Sequence, residues 1–160
     1  MTIELVTERN IGIAAEVHSI SWKDSHKSFC SADFIEAHTT ERQRKYIEQE
    51  IQRGKQFYLL SESGQAKGIV SVQDSLIENL YVLPAEQRKG YGTALLQYAE
   101  KKCSRTPTLW ILSNNTVAEN LYQKFGYEFT GNVKPLKNDL QEMEMQRSSG
   151  KEPSDRINLD

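Results

Sequence analysis

The chain has 160 residues and a formal charge of -2, with 20 Lys and Arg against 22 Asp and Glu. That length suits one core, because two would leave each half close to the size at which burial no longer offsets chain entropy. Hydrophobic residues at 38% and charged residues at 26% exclude a wholly disordered chain, and the missing basic excess argues against a dedicated nucleic-acid binder.

Thr2 to Val6 alternates β-branched and polar residues and reads as a first strand. Asn10 starts a helix to about Ser21, with Ile13, Ala14, Val17 and Ile20 on one stripe. Trp22 to Cys30 is aromatic and polar with weak periodicity, a loop or broken helix. Ser31 opens a short helix through Ile35, and Thr39 or Thr40 caps a longer one that Gly54 ends. The period then changes. Gln56 to Ser61, Gly68 to Gln73 and Leu76 to Leu83 read as an antiparallel meander, the first two joined by a turn at Ser63-Gly64.

Thr93 to Cys103 is a helix with Leu95, Ala99 and Cys103 on its stripe, and Thr108 to Leu112 is a dense apolar strand. Thr116 and Glu119 open the last helix as a capping-box pair, with Val117, Ala118, Leu121 and Phe125 as its stripe and Gly126 as its stop. Tyr127 to Thr130 and Leu140 to Gln146 are closing strands around a polar loop at Lys134 to Asp139. After Arg147 a polar tail, residues 148–160, is expected to be mobile. Counted with two helices after the first strand, the order is β-α-α-β-β-β-α-β-α-β-β. It implies a single α/β domain, residues 1–147, with a mixed sheet, antiparallel at its start and parallel where the Thr93 helix links two strands.

No apolar run is long enough to span a bilayer, and the first residues lack the basic-then-apolar layout of a secretion signal. Cys30 and Cys103 form neither a disulfide framework nor a metal-type pair, which fits free thiols in the cytoplasm. His18, His26 and His38 show no metal-binding spacing, so no metal is expected.

The chemically informative stretch runs from Leu76 to Cys103. After a strand and Pro84 comes Gln87-Arg88-Lys89-Gly90-Tyr91-Gly92, leading into a helix at Thr93. Glycines let the backbone curl there, unpaired helix-start N–H groups point one way, and with the helix dipole they suit a pyrophosphate. Two glycines alone are equally a plain strand-to-helix turn. The pattern matches neither the P-loop nor the GxGxxG dinucleotide motif.

The spacing Gln87-x-x-Gly90-x-Gly92 after Leu80-Tyr81-Val82-x-Pro84 resembles the coenzyme A motif of the GNAT-type N-acetyltransferases. Downstream, Asn115-x-x-Ala118-x-x-Leu121-Tyr122-x-Lys124-x-Gly126-Tyr127 is similar to the same family's later helix and strand. The resemblance implies the GNAT acyl-CoA N-acyltransferase fold and acetyl transfer from acetyl-CoA to an amine, with coenzyme A as co-substrate.

It further implies that main-chain N–H groups from Gln87 through Arg88, Lys89, Gly90, Tyr91 and Gly92 to Thr93 hold the diphosphate. Backbone groups of Leu80, Tyr81 and Val82 would pair the pantetheine arm. A bulge near Leu80 or Tyr81 would aim an N–H at the acetyl carbonyl. Tyr122 takes the position of the acid that protonates the leaving thiolate, the alternative being a core aromatic. Asn115 is placed to touch the cofactor, to cap its helix, or both. Glu78 is the candidate general base, against an edge carboxylate that merely faces water. Trp22, His26 and Phe29 are candidates for the acceptor wall.

The acceptor is then a small-molecule or peptide amine, with neither nucleic acid nor membrane as partner and a homodimer left open. A non-catalytic acyl-CoA-binding module of the same fold is the other reading.

Overall fold

Period-two alternation and helical stripes give the observed element order, and the fold is mixed α/β as expected. A computed structural model describes residues 1–136 and 139–148, and the chain divides into two compact units, Met1–Lys102 and Cys103–Asp160. The first unit contains β1 (Thr2–Leu5), α1 (Ile11–His26), α2 (Ala32–Glu36), α3 (Thr40–Gln52), β2 (Gln56–Glu62), β3 (Gln65–Gln73), β4 (Leu76–Val82) and α4 (Tyr91–Lys102). Its strands lie in the order β1-β2-β3-β4, every pairing antiparallel. Ser63 and Gly64, both left-handed at φ 54° and 77°, form the two-residue turn between β2 and β3, whose hand matches the strand twist.

Both faces of this sheet are covered. On one, Phe57, Leu59 and Ile69 pack against Ile11, Ala14, Ala15 and Val17 of α1 and Ile47 of α3. On the other, Tyr58 meets Tyr98 of α4 edge-on at 5.0 Å, and Lys102 Nζ lies 5.2 Å from the Tyr98 ring centre. Phe57, Leu59, Leu60 and Ile69 are 2% exposed or less, and each such burial is worth about 1.5–3 kcal/mol. Gly68 is required where α4 crosses: a Cβ there would stand 2.8 Å from Leu95 Cδ1 and 2.8 Å from the Tyr81 carbonyl oxygen.

Three local expectations change. The first helix runs through Trp22 to His26, because Trp22, His26 and His38 stack into one aromatic column that holds the extra turn. Its buried stripe is Ile11, Ala14, Ala15, Val17, His18 and Ser21, whereas Ile13 and Ile20 are 50% and 43% exposed. Asn10 precedes the helix without capping it. Its side chain instead accepts from Thr7 N at 2.8 Å and donates to Leu5 O at 3.1 Å, closing the turn from β1.

The second unit contains β5 (Thr108–Leu112), α5 (Thr116–Lys124), β6 (Tyr127–Pro135) and β7 (Gln141–Arg147), with β7 antiparallel to both β5 and β6. Leu109 and Ile111 are buried, Leu109 directly opposite Met145. β6 extends past Thr130 through a bulge at Gly131, φ 94°, where Thr130 Oγ1 and Asn132 Nδ2 both donate to Glu144 Oε1 at 2.8 and 2.9 Å. Asn115, not a Thr116–Glu119 box, caps α5: its Oδ1 accepts from Ala118 N at 3.1 Å. The expected α5 stripe is largely exposed, Val117 at 79% and Leu121 at 37%, with Phe125 buried just beyond the helix. Cys103 falls just past α4 and is half-buried rather than buried. Two residues of the predicted Lys134–Asp139 loop, 137 and 138, and the tail from 149 onward lie outside the described residues.

Candidate active site

The turn between β4 and α4 is built by conformations that side chains resist. A single 3-10 turn at Pro84–Glu86 leaves the strand, and then Arg88 and Gly90 are both left-handed, at φ 65° and 87°. Successive residues of opposite hand curl N–H groups toward one concavity, a nest suited to anions. The first intrahelical bond of α4 is Ala94 N to Gly90 O at 3.0 Å, so the N–H groups of Tyr91, Gly92 and Thr93 precede it and lack helical partners. Nothing lies within 4 Å of a Cβ built on Gly90, so the concavity is open to a ligand.

Gln87 ties the turn down, its Nε2 donating to Val82 O at 3.4 Å. Lys89 is committed elsewhere: it pairs with Glu86 at 2.9 Å, and Glu86 also meets Lys67 at 2.9 Å. Hydrogen bonds from Lys89 and Lys67 lower the Glu86 carboxyl below the ordinary carboxylate range. The charge beside the turn is therefore that of Arg88, and backbone N–H groups supply the rest.

β4 carries the expected irregularity. Ile69 opposes Tyr81 and Ser71 opposes Glu78, so Asn79 and Leu80 together face Val70, with Asn79 left-handed at φ 52°. Such a bulge re-aims backbone groups and side chains out of the regular ladder. It puts the Asn79 side chain among those of α1 and α3. Ser71 Oγ donates to Glu78 O at 3.0 Å, Asn79 Nδ2 donates to Ser71 Oγ at 2.9 Å, and Asn79 Oδ1 therefore faces His18 Nε2 at 3.0 Å. The run of donors puts the proton of His18 on Nε2 and its lone pair on Nδ1, which is buried without a partner.

Burial pushes the His18 imidazole below its ordinary pKa, against the opposing bond from Asn79 and with help from His38 and His26. Glu78 reaches Lys55 Nζ at 2.8 Å, and Glu50 lies 3.6 Å from the same ammonium. Burial pulls the Lys55 pKa down, but the Glu78 hydrogen bond, the nearby Tyr46 and the charges of Glu78 and Glu50 together outweigh it and leave it raised.

Beside the bulge opens a cavity of about 270 Å³, lined by His18, Trp22, His38, Arg42, Gln43, Tyr46, Asn79 and Tyr81. Of the three predicted wall residues, Trp22 lines it. His26 stacks behind Trp22 at 4.0 Å, and Phe29 sits 5.2 Å behind His26. Burial also lowers the His26 pKa, opposed by its hydrogen bond to Trp22 O and aided by His38. Glu78 is not among the lining residues. His18, Arg42, Gln43 and Asn79 were missed by sequence reading. One usable signal was the position of His18, four residues after Ala14 on the buried stripe.

In the second unit Tyr122 is half-buried, its ring 5.8 Å from that of Tyr127, and desolvation pushes its phenol up to about 12. Across the working range of most enzymes this phenol therefore stays protonated. Asn115 spends its carbonyl oxygen on the α5 cap. Among the described residues no group of three His, Cys, Asp or Glu side chains is placed to hold a metal ion, and no helix is long and apolar enough to cross a membrane.

No curated protein sequence matches the chain. Solved structures of similar fold include the PaiA N-acetyltransferase of Thermoplasma acidophilum in complex with coenzyme A, at 24% identity and a TM-score of 0.69, covering 90% of this chain and 98% of that one. YncA of Salmonella typhimurium, a putative acetyltransferase with acetyl-CoA, aligns at 21% identity and a TM-score of 0.64, over 95% and 96% of the two chains. The ribosomal-protein-alanine N-acetyltransferase of Brucella melitensis aligns at 16% identity and 0.65, over 92% and 99%. A family model described as an acetyltransferase (GNAT) domain matches residues 16–148, taking in the N–H-lined turn, the bulged strand and Tyr122. The chain belongs to the GNAT acetyltransferase family.

Proposed function

We propose that residues 1–147 act as one domain that transfers the acetyl group of acetyl-CoA directly to an amine, without a covalent enzyme intermediate. The observation that carries this reading is the turn Gln87–Thr93, whose left-handed Arg88 and Gly90 curl backbone N–H groups around an open concavity at the start of α4. Such a cradle fits a diphosphate. Two solved relatives of similar fold, PaiA and YncA, hold coenzyme A and acetyl-CoA.

In this reading Leu80, Tyr81 and Val82 align the pantetheine arm, and the N–H of Leu80 or Tyr81 at the bulge polarises the acetyl carbonyl as charge develops on its oxygen. The cavity under α1 receives the acceptor. The amine nitrogen attacks the carbonyl carbon, a C–N bond forms and the C–S bond breaks. Tyr122 gives its phenolic proton to the departing thiolate and recovers one from solvent. The amine proton leaves toward Glu78, through water because that carboxylate does not line the cavity. Asn115, held in its cap, presents its amide group to the cofactor. The same reading carries a cytoplasmic location, in keeping with two cysteines outside any disulfide.

A screen of amines and peptides that reads released thiol tests it. Acceptor-dependent thiol release with an N-acetylated product is expected. Coenzyme A that neither binds nor stabilises the chain would overturn it, since a ligand bound only by the native state must raise stability.

A further inference from the structure

Some of the polar groups lining the cavity under α1 have hydrogen-bonding capacity that the protein leaves unused. On the α3 side, Gln43 is only 4% exposed, and its side-chain amide makes no hydrogen bond among the described residues. Its neighbour Arg42 enters no ion pair among the described residues, and its guanidinium reaches only Ala37 O, at 3.4 Å. No carboxylate lines the cavity, so Arg42 is its one permanent charge. A planar fork of N–H donors beside a buried, unused amide is a receptor for an anion with two oxygens.

Two imidazoles line the same cavity. His38 Nδ1 donates to Phe34 O at 2.9 Å, which leaves Nε2 as its second ring nitrogen, and the buried Nδ1 of His18 has no hydrogen-bond partner. Neutral acceptors suit an amine N–H, whereas a site for a polyamine would need carboxylates to balance several ammonium groups. Trp22, Tyr46 and Tyr81 close the cavity with apolar surface. Its volume of about 270 Å³ lies just under the usual small-ligand range of roughly 300–1,000 Å³, room for one amino-acid-sized molecule.

Resting on the acceptor reading above, we infer that the acceptor is an amino acid, its carboxylate held by Arg42 and Gln43 and its amine turned toward the imidazoles of His38 and His18. Arg42 is then a specificity-determining residue. It rewards the carboxylate and repels an acceptor that carries additional positive charge.

Calorimetry on the coenzyme A-loaded full chain tests this with matched probes: L-phenylalanine against phenethylamine, L-tryptophan against tryptamine, L-leucine against isopentylamine, and spermidine alone. At least one amino acid should bind about tenfold tighter than its decarboxylated partner, the size of one charge-assisted bidentate contact in a partly solvated site. Arg42→Gln should erase that ratio, and Arg42→Lys should restore part of it. Equal or tighter binding of the decarboxylated amines or spermidine, a ratio unchanged in Arg42→Gln, or no binding of any probe would overturn the inference. Thiol release measured alongside keeps the two readings apart. Amino acids that bind without turnover sink the transfer reaction alone. Turnover of amines with no preference for a carboxylate sinks the amino-acid specificity alone.

Discussion

The turn at Gln87–Thr93 and the cavity under α1, the two proposed binding sites, present polar groups by different means. The turn uses main chain: its one local lysine is bound to Glu86, and its geometry depends on two left-handed residues. The cavity uses side chains, with Arg42 and Gln43 as idle donors and His18 locked in one tautomer by Asn79 and Ser71. A main-chain cradle tolerates change in most of its side chains and fails when a backbone angle is lost. A side-chain cavity should behave the other way, failing residue by residue. Substitutions can break or sharpen that contrast.

The largest expected effect is chemical. Tyr122→Phe should lower the acetyl-transfer kcat about 100-fold, within the usual range for loss of a positioned acid. Binding of coenzyme A should stay intact, so kcat falls while affinity does not. Because desolvation pushes the Tyr122 phenol up to about 12, the wild-type rate should show no loss from this group below about pH 10, the ordinary value for tyrosine. An unchanged rate in Tyr122→Phe would remove Tyr122 from the mechanism.

Next come the glycines. Gly90→Val forces a β-branched residue to φ 87°, where the added Cβ meets nothing. The fold should survive while coenzyme A affinity drops about tenfold, the cost of misplacing the N–H cradle by 1–2 kcal/mol. Lys89→Gln, which leaves Glu86 paired with Lys67, should shift affinity far less. Gly68→Ala tests the support of the same turn. Its Cβ would press Leu95 and the Tyr81 carbonyl, so denaturant melts should show about 1–3 kcal/mol of lost stability.

The smallest effect belongs to the buried imidazole. His18 has a lowered pKa in the folded state, so the unfolded chain takes up that proton first as acid is added. Its contribution is present above the unfolded value of about 6.5 and is lost as pH falls through the lowered folded value. Melts from pH 7 to 5 should therefore show a decline that His18→Gln makes shallower, the remainder coming from His26, whose pKa burial also lowers. A slope unchanged by that variant would contradict the neutral, single-tautomer imidazole.

The sequence disclosed what depends on spacing. Strand alternation gave the meander, and the glycine spacing after β4 marked the turn with its backbone donors. The bulge was expected near Leu80 or Tyr81 and lies at Asn79–Leu80. What spacing could not disclose was tertiary. The first helix looked finished at Ser21 because Trp22 to His26 show no apolar period, but the stack with His38 holds one more turn. Glu78 was singled out for its carboxylate, and only the fold shows Lys55 claiming it. Asn79 looked like an ordinary strand residue until the bulge turned it toward His18. Gln43 and Arg42 lie in a helix rich in charged residues, where nothing in the local sequence marks either for the cavity. Gln43 is in fact buried at the cavity, a distinction no local pattern encodes.

The most direct test of the central claim is the amide spectrum of the nitrogen-15-labelled chain titrated with acetyl-CoA. The largest amide shifts and the slowest hydrogen exchange should fall on backbone N–H groups between Gln87 and Thr93, and should persist in Lys89→Gln. Shifts confined to other segments, with those amides unmoved at saturation, would contradict a main-chain diphosphate cradle.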